Sequence, residues 1–350
     1  MSALALVRPS PGSHLLLCAA AAIGLGLIAI AWRGPATMEA WLVAYILLTG
    51  LSVGALGLLM IGHLLGEIWL HPVRDELEPI ARAMPLVAIF GAPLLFSLDD
   101  LYPWARGTAA LPESIADYFD VRFFVARSAA YVVVWIVLAA VVARPGRHRA
   151  MSAFGLMLLL PTVGLASIDW IASREPQWIS LSYGFSFAAA QVLAALGLAM
   201  LITLLRQGHP PAARLRSLQT ALLSLALLTL WIWFSQFLIV WMADLSQETA
   251  WYLARLDGIW IVLQAGVAVP ALAAAIVLSI APRPGWTRIC AASALVLIQH
   301  LAHAIWLVRP GSGGVTITWL DAAAPVFMIL IWAVFVAGEI SRRPVLDPEY

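Results

Sequence analysis

The chain has no lysine. All 20 of its basic residues are arginine, set against 19 acids. Charged residues make up only 11% of the 350, against roughly 25% in soluble domains. That scarcity excludes a soluble enzyme held by one anchor, and the near-zero net charge offers no electrostatic footprint for nucleic acid. Only two cysteines occur, Cys18 and Cys290, both in apolar runs. Two isolated cysteines supply neither a disulfide framework nor a zinc site. There is no phosphate loop, nucleophile elbow, CxxC pair or dinucleotide fingerprint, so the chain is expected to bind no redox cofactor of its own. Long polar stretches are missing as well. The longest connection, about Asp99 to Val121, has room for a short surface helix but not for a separate domain.

What is present is apolar sequence. Hydrophobic residues account for 63% of the chain, and the mean hydropathy is +0.93. A helix needs about 20 apolar residues to cross a bilayer. Ten candidate spans meet that need: 14–32, 39–63, 82–98, 122–143, 151–171, 179–205, 218–243, 256–281, 287–308 and 321–341. The first reads as a retained helix, because Trp32-Arg33-Gly34-Pro35 makes a poor cleavage site. The expected fold class is an all-α integral membrane protein of about ten helices, residues 1–350 forming one polytopic domain in contact with lipid.

Arginines set the expected orientation. Thirteen lie on the side of the N-terminus and five, Arg33, Arg106, Arg174, Arg255 and Arg309, in the opposite loops. That asymmetry places both termini in the cytoplasm. The outward ends then collect acids, aromatics and prolines: Leu98 to Trp104, Ser167 to Trp170, and Trp241 to Asp244. Either partners or chemistry meet the protein there, or this is an aromatic belt with loop acids. A shift of four spans lays helices 2–5 on helices 6–9 with the same orientation, which suggests two four-helix bundles, about 39–171 and 179–308. Helices 1 and 10 are then peripheral.

The residues with chemical potential are few. The stretch from Pro161 to Phe187 joins the two halves and carries Asp169 close to a helix end. A charge at the bilayer centre costs roughly 2.5–3.5 kcal/mol, less near the edge, so an acid there needs a partner or a purpose. Asp169 is either a proton carrier or a helix-end cap. Arg127 lies more than a turn inside the fourth span, with Tyr131 and Trp135 following at four-residue steps. Its anion is sought among Asp99, Asp100 and Asp169; the alternatives are a structural ion pair and a proton or quinone site. His63, Glu67 and His71 fall on one helical face at steps of four, too few ligands for a metal but suited to a structural His–Glu pair. Gln299, His300 and His303 stand in the ninth span, and haem would require axial partners on facing helices.

Four segments in order, LDDLYPWA, DVRFFVARSAAYVVVWIVLA, SIDWIASREPQWISLSYGF and FSQFLIVWMADLSQETAWYLARLDG, closely resemble the ActF-type membrane subunit of bacterial alternative complex III. That family belongs to the NrfD-like polysulfide-reductase membrane-subunit superfamily. The resemblance spans about Trp41 to Asp321. It implies a non-redox subunit of a quinol:cytochrome c, or quinol:terminal oxidase, complex in the bacterial inner membrane. The implied partners are a sister NrfD-like subunit and periplasmic multihaem cytochrome c and iron–sulfur subunits, which hold the haem c and the clusters. Quinol is a possible ligand, and a part in proton movement is implied. The proton-path or quinone-site candidates are then Asp169, Asp99, Asp100, Arg127, Asp244, His63 and Glu67. The chain departs from the family at Asp244, where asparagine is expected, and at Gln177, where histidine is expected. The alternatives from the residues alone are a stand-alone proton-coupled transporter and the membrane anchor of a polysulfide- or nitrite-reductase-type complex.

Overall fold

The computed structural model describes residues 11–342 except 33, 67–68, 110, 112, 145, 147, 179, 181, 208–211, 283–284 and 311–318. The protein is an all-α, multi-span membrane protein. Among the described residues ten helices are long and apolar enough to cross a bilayer, and there is no strand. They are α1 (Pro11–Ala31), α2 (Pro35–Leu65), α3 (His71–Leu95), α4 (Val121–Val142) and α5 (Arg149–Trp170), followed by α6 (Tyr183–Gln207), α7 (Ala212–Ala243), α8 (Gly258–Ile280), α9 (Trp286–Val308) and α10 (Trp319–Ser341). Alternating crossings put the connections after α1, α3, α5, α7 and α9 on one face. Most of the short surface helices, including Leu98–Leu101 and Ser246–Leu253, lie there, and this face is called the loop face below.

The centre of the molecule is the seam between α2 and α6. Helices α3, α4 and α5 pack on α2, while α7 and α9 pack on α6 and α8 packs on α7 and α9; α1 and α10 pack on each other and on α3 and α2. Without a hydrophobic drive between helices in lipid, close backbone approach has to come from small residues. Gly54 supplies it: a Cβ there would stand 2.2 Å from the Gln191 carbonyl oxygen. Gly184 does the same between α6 and α5, where a Cβ would lie 2.7 Å from the Gly164 Cα.

Two elements differ from the sequence reading. The α2 helix stops at Leu65, where Gly66 takes a left-handed conformation (φ 96°) and its N–H returns to the Gly62 carbonyl. His71 therefore begins a separate turn, His71–Val73, and does not continue the face of His63. Glu67 lies outside the described residues. The third span also starts eleven residues earlier than its apolar run, at His71 rather than 82. Its first half, Arg74–Arg82, is hidden from hydropathy by charge, yet Glu76 and Glu78 are buried there. Each is paired: Glu78 with Arg74 at 2.9 Å and Arg82 at 3.4 Å, Glu76 with Arg206 of α6 at 2.5 Å. Paired charges can be carried into a bundle that would reject them singly.

Candidate functional site

In the first half the polar groups converge on Asp169. Asp120 caps α4 by accepting the Phe123 N–H, which fixes the start of the helix. Two turns on, Arg127 reaches α5 and grips the Asp169 carboxylate with both ends of its fork, Nε to Oδ2 at 3.1 Å and Nη2 to Oδ1 at 3.0 Å. Its remaining Nη1 donates to the Tyr118 carbonyl at 3.0 Å, and the guanidinium lies over the Tyr118 and Phe123 rings. The Tyr118 and Tyr131 hydroxyls donate to Oδ1 and Oδ2 at 2.8 and 2.9 Å. Asp169 is fully buried, and four donors occupy its two oxygens. Burial, together with the Asp169 charge, pushes the Tyr118 phenol up to about 12, so it remains a donor at physiological pH.

The other sequence candidates stand apart from this cluster. Asp99 is exposed and Asp100 half-buried; the Arg106 guanidinium binds their backbone carbonyls rather than their carboxylates. Asp244 is exposed at the end of α7 with φ 48°. His63 is buried at the far end of α2, its Nδ1 2.8 Å from the Ser152 hydroxyl and its ring against His148. The acid that Arg127 requires is thus Asp169 and not Asp99 or Asp100. Trp135, on the same face of α4, donates to Thr162 instead.

The second half holds a different kind of site. A cavity of about 290 Å³ lies among α6, α7, α8, α9 and the Ser246–Leu253 helix. The α8 helix widens into a π turn, Val262–Ala268, with the Val269 N–H closing on the Gln264 carbonyl. Such turns recur at functional sites, and this one carries Gln264 to the cavity wall. There its Oε1 meets His303 Nδ1 at 3.0 Å. With Nδ1 donating, His303 keeps Nε2 as an acceptor. The Trp233 and His303 ring centroids are 4.0 Å apart, and Trp306 stacks on His303 at 5.6 Å. Four further wall residues hold buried side-chain atoms without a hydrogen-bond partner: the Tyr183 hydroxyl, Gln191 Oε1, the Trp233 indole nitrogen and both nitrogens of His300. Gln299, next in α9, leaves both amide atoms unpaired as well.

Between the halves, arginines fasten the loop face. Arg174 pairs with the buried Glu39 and donates to the Val308 carbonyl at 2.7 Å, joining the α5–α6 connection to α2 and α9. Arg255 pairs with Glu175 at 2.5 Å and lies 3.8 Å from the Trp251 ring centroid; Trp251 stacks in turn on Trp178. Among the described residues no group of three or more His, Cys, Asp or Glu is placed to hold a metal ion.

Fold and sites together define a polytopic α-helical membrane protein with a locked ion-pair cluster in one half and, in the other, a cavity whose wall holds unpartnered polar atoms. No protein-family model matches the chain, and no curated protein matches it.

Proposed function

We propose that this chain is a membrane subunit of a quinol-oxidising electron-transfer assembly of the alternative complex III type. It works beside a sister subunit of the NrfD-like class and beneath multihaem cytochrome c and iron–sulfur subunits, which carry the electrons. Its loop face points away from the cytoplasm, as the arginine asymmetry suggests. Its own share is architecture at the membrane step and proton movement. The observation that carries this reading is the Asp169 cluster, a buried acid locked by Arg127 and holding two tyrosine hydroxyls next to the loop face.

The bidentate arginine and the two hydroxyls hold the Asp169 carboxylate in one position. It orients Tyr118 at the rim of a smaller cavity of about 170 Å³, whose wall also includes Ser173, Ser180 and Tyr183. Tyr183 lines the larger cavity too. Tyr118, Ser173, Ser180 and Tyr183 thus bring hydroxyls to one cavity between the Asp169 cluster and the second half, and proton movement is assigned to that cavity. The ordered four-segment resemblance supports the same assignment.

A tagged chain purified in mild detergent tests it. Expected companions are c-type haem and iron–sulfur proteins in constant ratio. A chain that purifies alone refutes the proposal in favour of a solitary transporter. A molybdopterin-containing companion refutes it in favour of a reductase anchor.

A further inference from the structure

The first half holds a cavity that the Asp169 cluster does not use. It measures about 280 Å³ and lies between α3 and α4, with Leu42 and Tyr45 of α2 and Trp170 of α5 behind it. Four wall residues carry a polar side-chain atom, and three of them bond within the wall. Tyr102 donates to the Trp170 carbonyl at 3.1 Å, and the Trp170 indole donates to Ser128 at 3.0 Å. The fourth, Tyr45, lies over Gly91, where a Cβ would stand 3.1 Å from its hydroxyl. The wall residues Ala92, Leu95, Ala129 and Val133 are exposed, so the cavity opens sideways between α3 and α4 toward lipid.

The mouth is charged at its upper rim. The exposed stripe of α4 runs Arg122, Ala126, Ala129, Val133 and Val137, at steps of three and four. Arg122 therefore stands above the mouth, where α4 begins on the loop face. It is exposed and, unlike Arg127, makes no hydrogen bond or ion pair among the described residues. Its neighbour Asp120 is occupied with the α4 cap. On the α3 side Asp99 is exposed beside the wall residue Leu98, and Arg106 holds its backbone carbonyl rather than its carboxylate. A polar solute has no entry from lipid to such a wall. A helix, about 10–12 Å across with its side chains, is too wide for the space. An alkyl chain fits it. In the second-half cavity the same chain leaves the His300 nitrogens and the Tyr183 hydroxyl buried without a partner, which is unfavourable. A bare hydrocarbon makes no use of Arg122, whereas a phosphate there lets its chain drop along α4 to Ala129 and Val133, about 10–16 Å below.

We infer that this cavity is a phospholipid site. One acyl chain occupies the space between α3 and α4, the phosphate binds Arg122, and a headgroup amine faces Asp99, as phosphatidylethanolamine provides. The site belongs to this chain alone and does not rest on the proposed assembly.

The full chain, purified in a maltoside detergent, is titrated with dioleoyl-phosphatidylethanolamine, and bound lipid is counted by native mass spectrometry. One lipid should bind ahead of a weaker, open-ended series. Arg122→Gln should weaken that first binding about fivefold. Ala129→Leu, which narrows the mouth from the lipid side, should weaken it at least as much. Asp99→Asn should reduce the preference for phosphatidylethanolamine over phosphatidylglycerol. Arg149→Gln, which removes an exposed arginine at the opposite end of the bundle, should leave binding unchanged. The absence of a distinct first lipid, or wild-type affinity in both Arg122→Gln and Ala129→Leu, overturns the inference. Equal binding of phosphatidylglycerol, or equal displacement by oleyl alcohol, also overturns it, since neither reads both charges of the rim. A first lipid that is lost whenever companion proteins are retained gives the groove to a protein neighbour and overturns it too. A solitary chain that binds the lipid sinks only the proposed assembly.

Discussion

The two halves bury their polar groups to opposite ends. Each has a helix pair near the loop face, α4 with α5 and α8 with α9, joined by a side-chain bond across the pair. In the first half that bond is an arginine–carboxylate fork with every oxygen engaged. In the second it is a single His303–Gln264 contact beside groups that have no partner. Both halves also hold a cavity, about 280 Å³ in the first and about 290 Å³ in the second. In the first-half cavity Tyr102 donates to the Trp170 carbonyl and Ser128 accepts from the Trp170 indole. The two cavities thus differ in how far the polar groups of their walls satisfy one another.

The largest effect should come from breaking the lock. Arg127→Ala leaves a buried carboxylate without its cation, a loss of roughly 3–5 kcal/mol. Thermal melting in detergent should fall sharply and assembly with it. Asp169→Asn should also destabilise, because an amide brings two donors of its own to a site already crowded with donors. Melting that is unchanged in both variants would remove the distinction between the halves.

The opposite sign is expected across the seam. Gln299 buries an amide whose oxygen and nitrogen are both unpaired. Replacing it with methionine removes an unmet polar group at similar volume, and relief of up to about 1–3 kcal/mol is available. Gln299→Met should therefore melt at or above the wild-type temperature. A large fall would mean that the second half is as tightly bonded as the first.

How much of this was legible beforehand differs between the halves for physical reasons. Ten spans followed from apolar runs, except that charged Arg74–Arg82 concealed the start of α3. Its acids are matched by Arg74, Arg82 and the distant Arg206, which no local window can see. Asp169 and Arg127 were each conspicuous as charges in apolar helices, and Tyr131 followed from four-residue spacing. Tyr118 did not, because the long connection before α4 brings it back onto Asp169. The cavity was the least legible feature. Its key glutamine sits in a π turn, which breaks the regular helical period, and His300 and His303 read as isolated histidines until α7 and α8 were placed beside them.

A smaller effect concerns pH. The Tyr118 phenol is raised to about 12 by burial and by the Asp169 charge, from about 10 in the unfolded chain. A raised pKa gives stability that is fully present below the unfolded value and is lost as pH rises through the folded one. First-half stability should therefore hold to about pH 10 and decline toward about pH 12, a decline that Tyr118→Phe should blunt. Melting curves of both proteins across that range provide the check. An equal decline in the two assigns the alkaline loss to other groups.

The most direct test of the contrast between the halves is photolabelling of the full chain in detergent with a phosphatidylethanolamine that carries a diazirine on its acyl chain, read by peptide mass spectrometry. The account predicts label in the first-half cavity, around Tyr45, Gly91 and Val132, reduced by excess unlabelled lipid and by Arg122→Gln. Label concentrated instead on α7, on the Val262–Ala268 turn and around His303, or spread equally over both halves, would contradict it.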